Sequence, residues 1–66
     1  MKIKLNGKEK IINENSSLAN LIDFLNLKNS PVVAEINGKI ISPEIYSETL
    51  INENDVVELI RFVGGG

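Results

Sequence analysis

Two Asn-Gly dipeptides place the strongest constraint on how this chain can fold. Asn6-Gly7 and Asn37-Gly38 each lie between short runs of strand-forming residues. Asn and Gly both tolerate the positive φ angles that tight hairpin turns require. The first turn joins a strand that begins at Lys2 to a strand over about 8–13, and the second joins 32–36 to 39–41. The sequence therefore predicts two β-hairpins.

The register of each hairpin is predicted from the residues that can share a buried face. In the first hairpin, a two-residue loop would set Ile3 opposite Lys10, whereas one bulged residue sets Ile3 opposite Ile11. Because register follows the buried face, we expect a bulged three-residue loop there. In the second hairpin, a two-residue loop already sets Ala34 opposite Ile41.

An amphipathic helix is predicted between the hairpins. Its apolar residues recur with i, i+3, i+4, i+7 spacing: Leu18, Leu21, Ile22 and Leu25. The pattern predicts a helix over about 17–27, with Ser16 or Ser17 as the N-cap and no Glu or Gln at the capping-box position.

The remainder of the chain supplies a connection and one more strand. Pro43 favours a short helical turn through Tyr46, and Leu50 is expected to fill the core from this connection. Asn54 can adopt the left-handed conformation of a turn residue, and a final strand should run over 56–63.

One helix across one face of a mixed sheet buries both elements, so we predict an α+β fold. If the last strand lies parallel beside the first, the fold is a β-grasp, or ubiquitin-like, arrangement.

Length and composition exclude several classes of function. Sixty-six residues make one domain, and with no Cys or His the chain lacks thiols, imidazoles and the usual metal ligand sets. The net charge is −2 and the basic residues are scattered, which does not suit nucleic-acid binding. No apolar run approaches the roughly 20 residues of a membrane span. We expect a cytoplasmic protein, monomeric when free, that binds no metal, nucleic acid or membrane.

An independent catalytic site is not predicted. The hydroxyl groups with any local context are those of Ser16, Ser17 and Tyr46, and no general base accompanies them. A helix cap and ordinary packing account for these three residues.

The final strand carries apolar residues on both faces. Val57 and Leu59 fall on the face that the helix should cover, which leaves Ile60 and Phe62 pointing toward solvent. Exposed apolar residues of this kind mark a partner surface, unless they close a sheet edge or the strand is buried on both faces. The predicted partner-binding residues are Glu58, Ile60, Arg61, Phe62, Val63, Gly64 and Gly65.

Three glycines end the chain directly after this strand. We expect residues 1–63 to form the domain and 64–66 to be a flexible tail, which when extended reaches roughly 10 Å into a narrow channel. A frayed terminus is the alternative interpretation.

The Gly66 α-carboxylate, with a pKa of roughly 3.3 to 3.7, is ionised and unreactive until activated. The chain has no phosphate-binding loop, so a partner would have to use ATP to form an acyl-adenylate.

These features together resemble the ThiS family of sulfur carriers in thiamine biosynthesis. The similarity covers the whole chain, from MKIKLNG through VVAEINGKII and the proline that follows to DVVELIRFVGGG. Gly65 and Gly66 match the family's terminal pair, and Gly64 matches an extra glycine of many members. The resemblance implies a β-grasp fold, adenylylation of Gly66 by a ThiF-type enzyme, conversion to a thiocarboxylate, and delivery of sulfur to a ThiG-type thiazole synthase.

Two positions depart from the family pattern, and other functions share the tail. Asn54-Asp55 stands where members commonly have Gly-Asp, and Tyr46 stands near a common Trp. A carrier for molybdopterin, cysteine or methionine synthesis would look similar. A ubiquitin-like modifier would form isopeptide bonds through Gly66, and a binding module would add a strand to a partner's sheet.

Overall fold

The computed structural model describes residues 1–62 as an α+β domain. Its elements are β1 (Lys2–Leu5), β2 (Lys8–Ile11), α1 (Leu18–Phe24), β3 (Val32–Ile36), β4 (Lys39–Ile41), a 3₁₀ helix (Pro43–Glu48) and β5 (Val56–Arg61). The strands form one mixed sheet in the order β2-β1-β5-β3-β4. β5 runs parallel to β1 and antiparallel to β3, which confirms the predicted placement of the last strand beside the first.

The core lies between α1 and one face of the sheet. It joins three helix residues to inward-facing residues of β1, β3 and β5 and to one residue of the final connection: Leu18, Leu21, Ile22, Ile3, Ala34, Val57, Leu59 and Ile51. The helix residues are those of the predicted apolar stripe, and Leu25 packs half-buried at its end. Burial of this single cluster is the main favourable term in folding.

The first hairpin differs from the predicted bulged loop. Leu5 pairs with Lys8 and Ile3 pairs with Lys10, so the loop is the two residues Asn6-Gly7. Their φ angles of 50° and 85° are both positive, as in the type I′ turn that matches strand twist. The prediction was wrong because a lysine can occupy the helix side of an edge strand. Lys10 is half-buried, and its ammonium lies 5.4 Å from the centroid of the Phe24 ring.

The consequence of this register is an exposed isoleucine. Ile11 pairs with Lys2 on the face away from the helix and is 72% exposed. β2 also ends at Ile11, two residues short of the predicted strand, and the chain then turns toward α1.

α1 is shorter than the predicted helix and has a capping box. The Ser17 Oγ accepts a hydrogen bond from the Asn20 N–H (3.0 Å), and the Ser17 N–H donates to Asn20 Oδ1 (2.9 Å). Asn20 therefore occupies the capping-box position that Glu or Gln usually fills. Asn26, with φ of 60°, ends the helix in a left-handed turn. Within residues 1–62, no helix has the length and apolar character to cross a bilayer.

The second hairpin has the predicted register. In the connection after it, the helical turn begins at Pro43 as predicted, but the predicted burial of Leu50 is wrong. Ala34 pairs with Ile41 across a two-residue loop, and the 3₁₀ helix begins at Pro43. Leu50, however, is 57% exposed, whereas Ile51 is 2% exposed and belongs to the core. The Ile51 N–H donates to the Ser16 carbonyl (2.9 Å), and this extended pairing turns alternate side chains inward.

Both Asn-Gly turns also hold β5 through their asparagine side chains. Asn6 Oδ1 accepts from the Leu59 N–H (2.8 Å) and Asn6 Nδ2 donates to the Leu59 carbonyl (3.3 Å). Asn37 Oδ1 accepts from the Val56 N–H (2.9 Å), and Asn37 Nδ2 donates to Asp55 Oδ1 (3.0 Å). The amide of Asn6 thus takes the place of a strand residue where β1 ends, and backbone groups of β5 remain paired.

The contrast between Ile51 and Leu50 is testable. Ile51→Ala should lower the free energy of unfolding by about 2 to 5 kcal/mol, because it leaves a cavity in the core. Leu50→Ala, the neighbouring control, should cost less than about 1 kcal/mol. Urea unfolding followed by circular dichroism measures both values. Equal losses would contradict the assigned burial.

The role of Asn6 is tested with a substitution that keeps the positive φ accessible. Asn6→Gly should lower the free energy of unfolding by about 1 to 2 kcal/mol, because two side-chain hydrogen bonds to Leu59 are lost. It should also accelerate hydrogen exchange of the Leu59 amide. Asn15→Gly is the control, since Asn15 has φ of 64° and its side chain makes no hydrogen bond among the described residues. Equal Leu59 exchange in both variants would refute the assignment.

Candidate functional site

The candidate site begins on β5, the central strand of the sheet. β3 and β1 flank it, so its two faces are set by alternation along the strand. Val57 and Leu59 are buried against the helix side, at 0% and 7% exposure. Ile60 and Phe62 are 50% and 55% exposed on the opposite side. The predicted division of the strand into a core face and an exposed apolar face is confirmed.

Neighbouring strands extend this exposed surface. Ile60 is the Cα partner of Val33 and Glu58 is the partner of Glu35, both on β3. Glu35 is in turn the partner of Ile40 on β4, which is 71% exposed. We call this surface the outer face and define it by six residues: Val33, Glu35, Ile40, Glu58, Ile60 and Phe62. It combines apolar side chains with two carboxylates and is not covered by α1.

Arg61 does not share the outer face. It pairs with Val32, whose side chain packs against the core, so strand alternation sends Arg61 toward the helix side. It lies beyond the end of the core and is exposed. Of the predicted partner-binding residues, the fold thus brings together Glu58, Ile60 and Phe62, and it separates Arg61 from them. Their role in binding a partner stays a prediction.

The start of β5 is held by a residue whose importance the sequence analysis missed. Asp55 is 8% exposed, and its carboxylate accepts hydrogen bonds from Asn37 Nδ2 (3.0 Å) and from the Asn52 N–H (2.8 Å). Asn54 precedes it with φ of 70°, as the turn prediction required. The signal available in the sequence was the position of Asp55 between the turn residue Asn54 and the first residue of the strand, where an Asp carboxylate commonly accepts hydrogen bonds from the turn.

At its other end, β5 leads toward the predicted reactive terminus. The Phe62 N–H donates to the Pro31 carbonyl (3.1 Å), so pairing with the β3 side continues one residue past the end of the strand at Arg61. Val63, Gly64, Gly65 and Gly66 lie outside the described residues. The roles predicted for them, and the boundary between domain and tail, stay predictions.

The hydroxyl groups considered as nucleophiles have structural partners. Ser16 Oγ donates to the Asn13 carbonyl (2.6 Å), and Ser17 Oγ is the helix cap. The Tyr46 hydroxyl donates to the Val32 carbonyl (3.1 Å) and so ties the 3₁₀ helix to β3. In the part of the chain that the structure describes, no group of three or more acidic side chains is arranged to hold a metal ion.

One carboxyl group has a displaced pKa, and it lies away from the outer face. The Ser42 hydroxyl donates to the Glu44 carboxylate and, with the Glu44 backbone N–H, lowers the pKa of Glu44, while slight desolvation opposes the shift. Glu44 belongs to the 3₁₀ helix, which packs against α1. This shift has a local hydrogen-bonding cause and does not point to catalysis.

A surface groove of about 410 Å³ lies elsewhere on the molecule. It runs between the end of β2 and α1 and contains none of the predicted site residues: its lining includes Ile11, Leu21, Phe24 and several polar side chains. The groove is open to solvent, and its polar side chains do not point to one reactive group. The outer face of β5 therefore remains the candidate site.

Comparison with known proteins gives a consistent match. The model of the ThiS family matches residues 3–66. The chain is 37% identical over 65 residues to the sulfur carrier protein ThiS of Bacillus subtilis, covering 97% of this chain and 98% of that protein. It is 29% identical over 66 residues to a thiazole synthase of Paramagnetospirillum magneticum, covering all of this chain but 20% of that protein.

A solved structure agrees with the fold. The crystal structure of the thiamine biosynthesis protein ThiS from Geobacter metallireducens superposes with a TM-score of 0.84 at 29% identity, with both chains fully covered. The mixed sheet crossed by one helix is the β-grasp arrangement of that neighbour. On the family match and the full-length similarity to a sulfur carrier, this chain belongs to the ThiS family.

Proposed function

We propose that this chain carries sulfur for the thiazole ring of thiamine as a thiocarboxylate on Gly66. The observation that carries the proposal is the full-length similarity to a sulfur carrier protein, combined with a central strand whose sequence continues into Phe62, Val63 and three glycines. Members of this family act as carriers, so the chain is a cosubstrate of its partners and not a catalyst.

The chemistry begins with activation of the terminal carboxylate. A carboxylate oxygen of Gly66 attacks the α-phosphorus of ATP, and pyrophosphate leaves with the electrons of the broken P–O bond. The resulting acyl-adenylate has AMP as a good leaving group. A sulfide-equivalent nucleophile then forms the C–S bond while the bond between the acyl carbon and AMP breaks. The products are the thiocarboxylate and AMP.

A ThiF-type adenylyltransferase would supply the nucleotide site. This chain has no glycine-rich phosphate loop, and its role is to present the carboxylate. Glycines suit that role because they have no side chains to obstruct a narrow channel. Ordering them costs on the order of 1 to 2 kcal/mol each, which contacts made by the domain would have to offset.

A ThiG-type thiazole synthase is the proposed acceptor. Proteins named thiazole synthase contain a segment similar to this whole chain, at 29% identity in Paramagnetospirillum magneticum and 32% in Magnetococcus marinus. A carrier-like segment within a protein of that name supports delivery of sulfur from this chain to a synthase of the same type.

Intact mass measures the proposed modification directly. After incubation with ATP, a ThiF-type adenylyltransferase and a sulfur source, the mass should rise by the difference between sulfur and oxygen. Deletion of Gly66 should abolish the gain because the terminal carboxylate then lies one residue short. An unchanged mass with a demonstrably active enzyme would contradict the proposal. Stable conjugates with lysines of other proteins would favour a modifier.

The outer face should contribute to binding of the adenylyltransferase. Phe62→Ala should raise the Kd by about 5-fold to 30-fold, because a half-exposed aromatic side chain next to the tail is a typical interface anchor. Phe24→Ala is the matched control, since Phe24 is 70% exposed on α1. Calorimetric titration of both variants provides the comparison. A similar Kd for the two would show that Phe62 does not anchor the complex.

A further inference from the structure

Two glutamates on the outer face oppose each other across neighbouring strands. Glu58 of β5 and Glu35 of β3 are Cα partners. Two hydrogen bonds show which residues of β5 bond to β3. The Phe62 N–H donates to the Pro31 carbonyl (3.1 Å), and the Asn37 N–H donates to the Val56 carbonyl (2.8 Å). The backbone groups of the even-numbered residues of β5 therefore point toward β3. Glu58 and Glu35 therefore form a hydrogen-bonded pair, with Cα atoms about 5.5 Å apart and side chains on the same face.

This juxtaposition is unfavourable in the free domain. Like charges directly opposite each other destabilise a sheet. Among residues 1–62, the ion pair that forms joins Lys2 to Glu9 (3.7 Å), on the other half of the sheet. Lys4 of β1 is the Cα partner of Val56 and so lies on the same face, diagonal to Glu58, but the two side chains form no ion pair. In the part of the chain that the structure describes, the Glu35 and Glu58 carboxylates therefore form no ion pair.

On the side of β3 and β4, the surroundings of the pair are apolar. Val33 and Ile60 form the next outer-facing pair along the same two strands, and Ile40 is the Cα partner of Glu35. A protein that covered this surface would remove water from around the carboxylates. Electrostatic interactions strengthen as the local dielectric falls, so a bound cation would be attracted more strongly there than on an open surface.

We propose that Glu35 and Glu58 together receive one arginine side chain from a ThiG-type thiazole synthase. Arginine is the complement because its planar guanidinium has five N–H donors, which can bridge two carboxylates, and it is weakly hydrated. The apolar rim accepts the rest of the partner surface, and the patch continues through Ile60 to Phe62 beside the tail. This assignment rests on the proposed function, and we choose the synthase because proteins named thiazole synthase contain a segment similar to this whole chain.

The proposal predicts opposite effects on stability and on binding. Removing one negative charge relieves repulsion in the free domain and deprives the guanidinium of one acceptor in the complex. A residue with a purely structural role would not show this combination. Both effects should depend on salt, because ions screen the repulsion and the attraction.

The test uses Glu35→Gln, Glu58→Gln and the double variant, with Glu48→Gln as the control. Glu48 is exposed in the 3₁₀ helix, so its substitution makes the same charge change away from the outer face. Each outer-face variant should raise Tm by about 1 to 5 °C. Each should also weaken binding to a purified thiazole synthase by about tenfold, with a shallower dependence of Kd on salt. Glu48→Gln should change the Kd less than about twofold.

Several outcomes would overturn the assignment. A Tm no higher than that of the wild type would show that the carboxylates do not repel each other. A Kd for the synthase equal to that of the Glu48→Gln control would show that they do not bind the partner. Weakened binding to the adenylyltransferase alone would assign the pair to a different partner. The absence of any binding between the wild-type chain and the synthase would also refute it.

The mass assay separates failure of this inference from failure of the proposed function. If the wild-type chain forms the thiocarboxylate and delivers its sulfur while the glutamate variants bind normally, the carrier function stands and the arginine site is wrong. If the wild-type chain never gains sulfur with an active adenylyltransferase, the carrier function itself is wrong.

Discussion

The central position of β5 is the constraint on which the rest of this structure depends. The strand pairs with β1 in parallel and with β3 antiparallel, and the side chains of Asn6 and Asn37 bond to its backbone where these neighbours turn. A strand paired on both sides has few unsatisfied backbone groups and little freedom to shift register. Phe62, the last residue that the structure describes, therefore follows a strand that is paired on both sides.

Successive side chains of β5 point alternately to the core and to the outer face. Val57 and Leu59 enter the core, whereas Glu58, Ile60 and the following Phe62 belong to the outer face. Within residues 1–62, α1 covers one face of the sheet and leaves the outer face uncovered. A large-to-small substitution on the core face consequently leaves a cavity, whereas one on the outer face does not. Such a division is compatible with the carrier function that we propose.

Two differences between the predicted and the observed structure show where local sequence patterns fail to predict side-chain placement. Hydrophobicity alone disfavours the pairing of Ile3 with Lys10, yet the long aliphatic part of a lysine on an edge strand can lie on the helix side, where Lys10 packs beside Phe24. Leu50 and Ile51 are both apolar neighbours, and the hydrogen bond of Ile51 to Ser16 decides which one enters the core. Neither choice is visible from the spacing of apolar residues.

The sequence by itself determined the two hairpins, the apolar face of the helix, the division of β5 into two faces and the resemblance to the ThiS family. These features follow from φ preferences of Asn and Gly, from periods of two and 3.6, and from a motif that ends in three glycines. The tertiary structure alone decided the register of the first hairpin, the inward turn of Ile51, and the meeting of Glu35 with Glu58. Each of these depends on contacts between residues far apart in sequence, and local preferences do not encode the energies of such contacts.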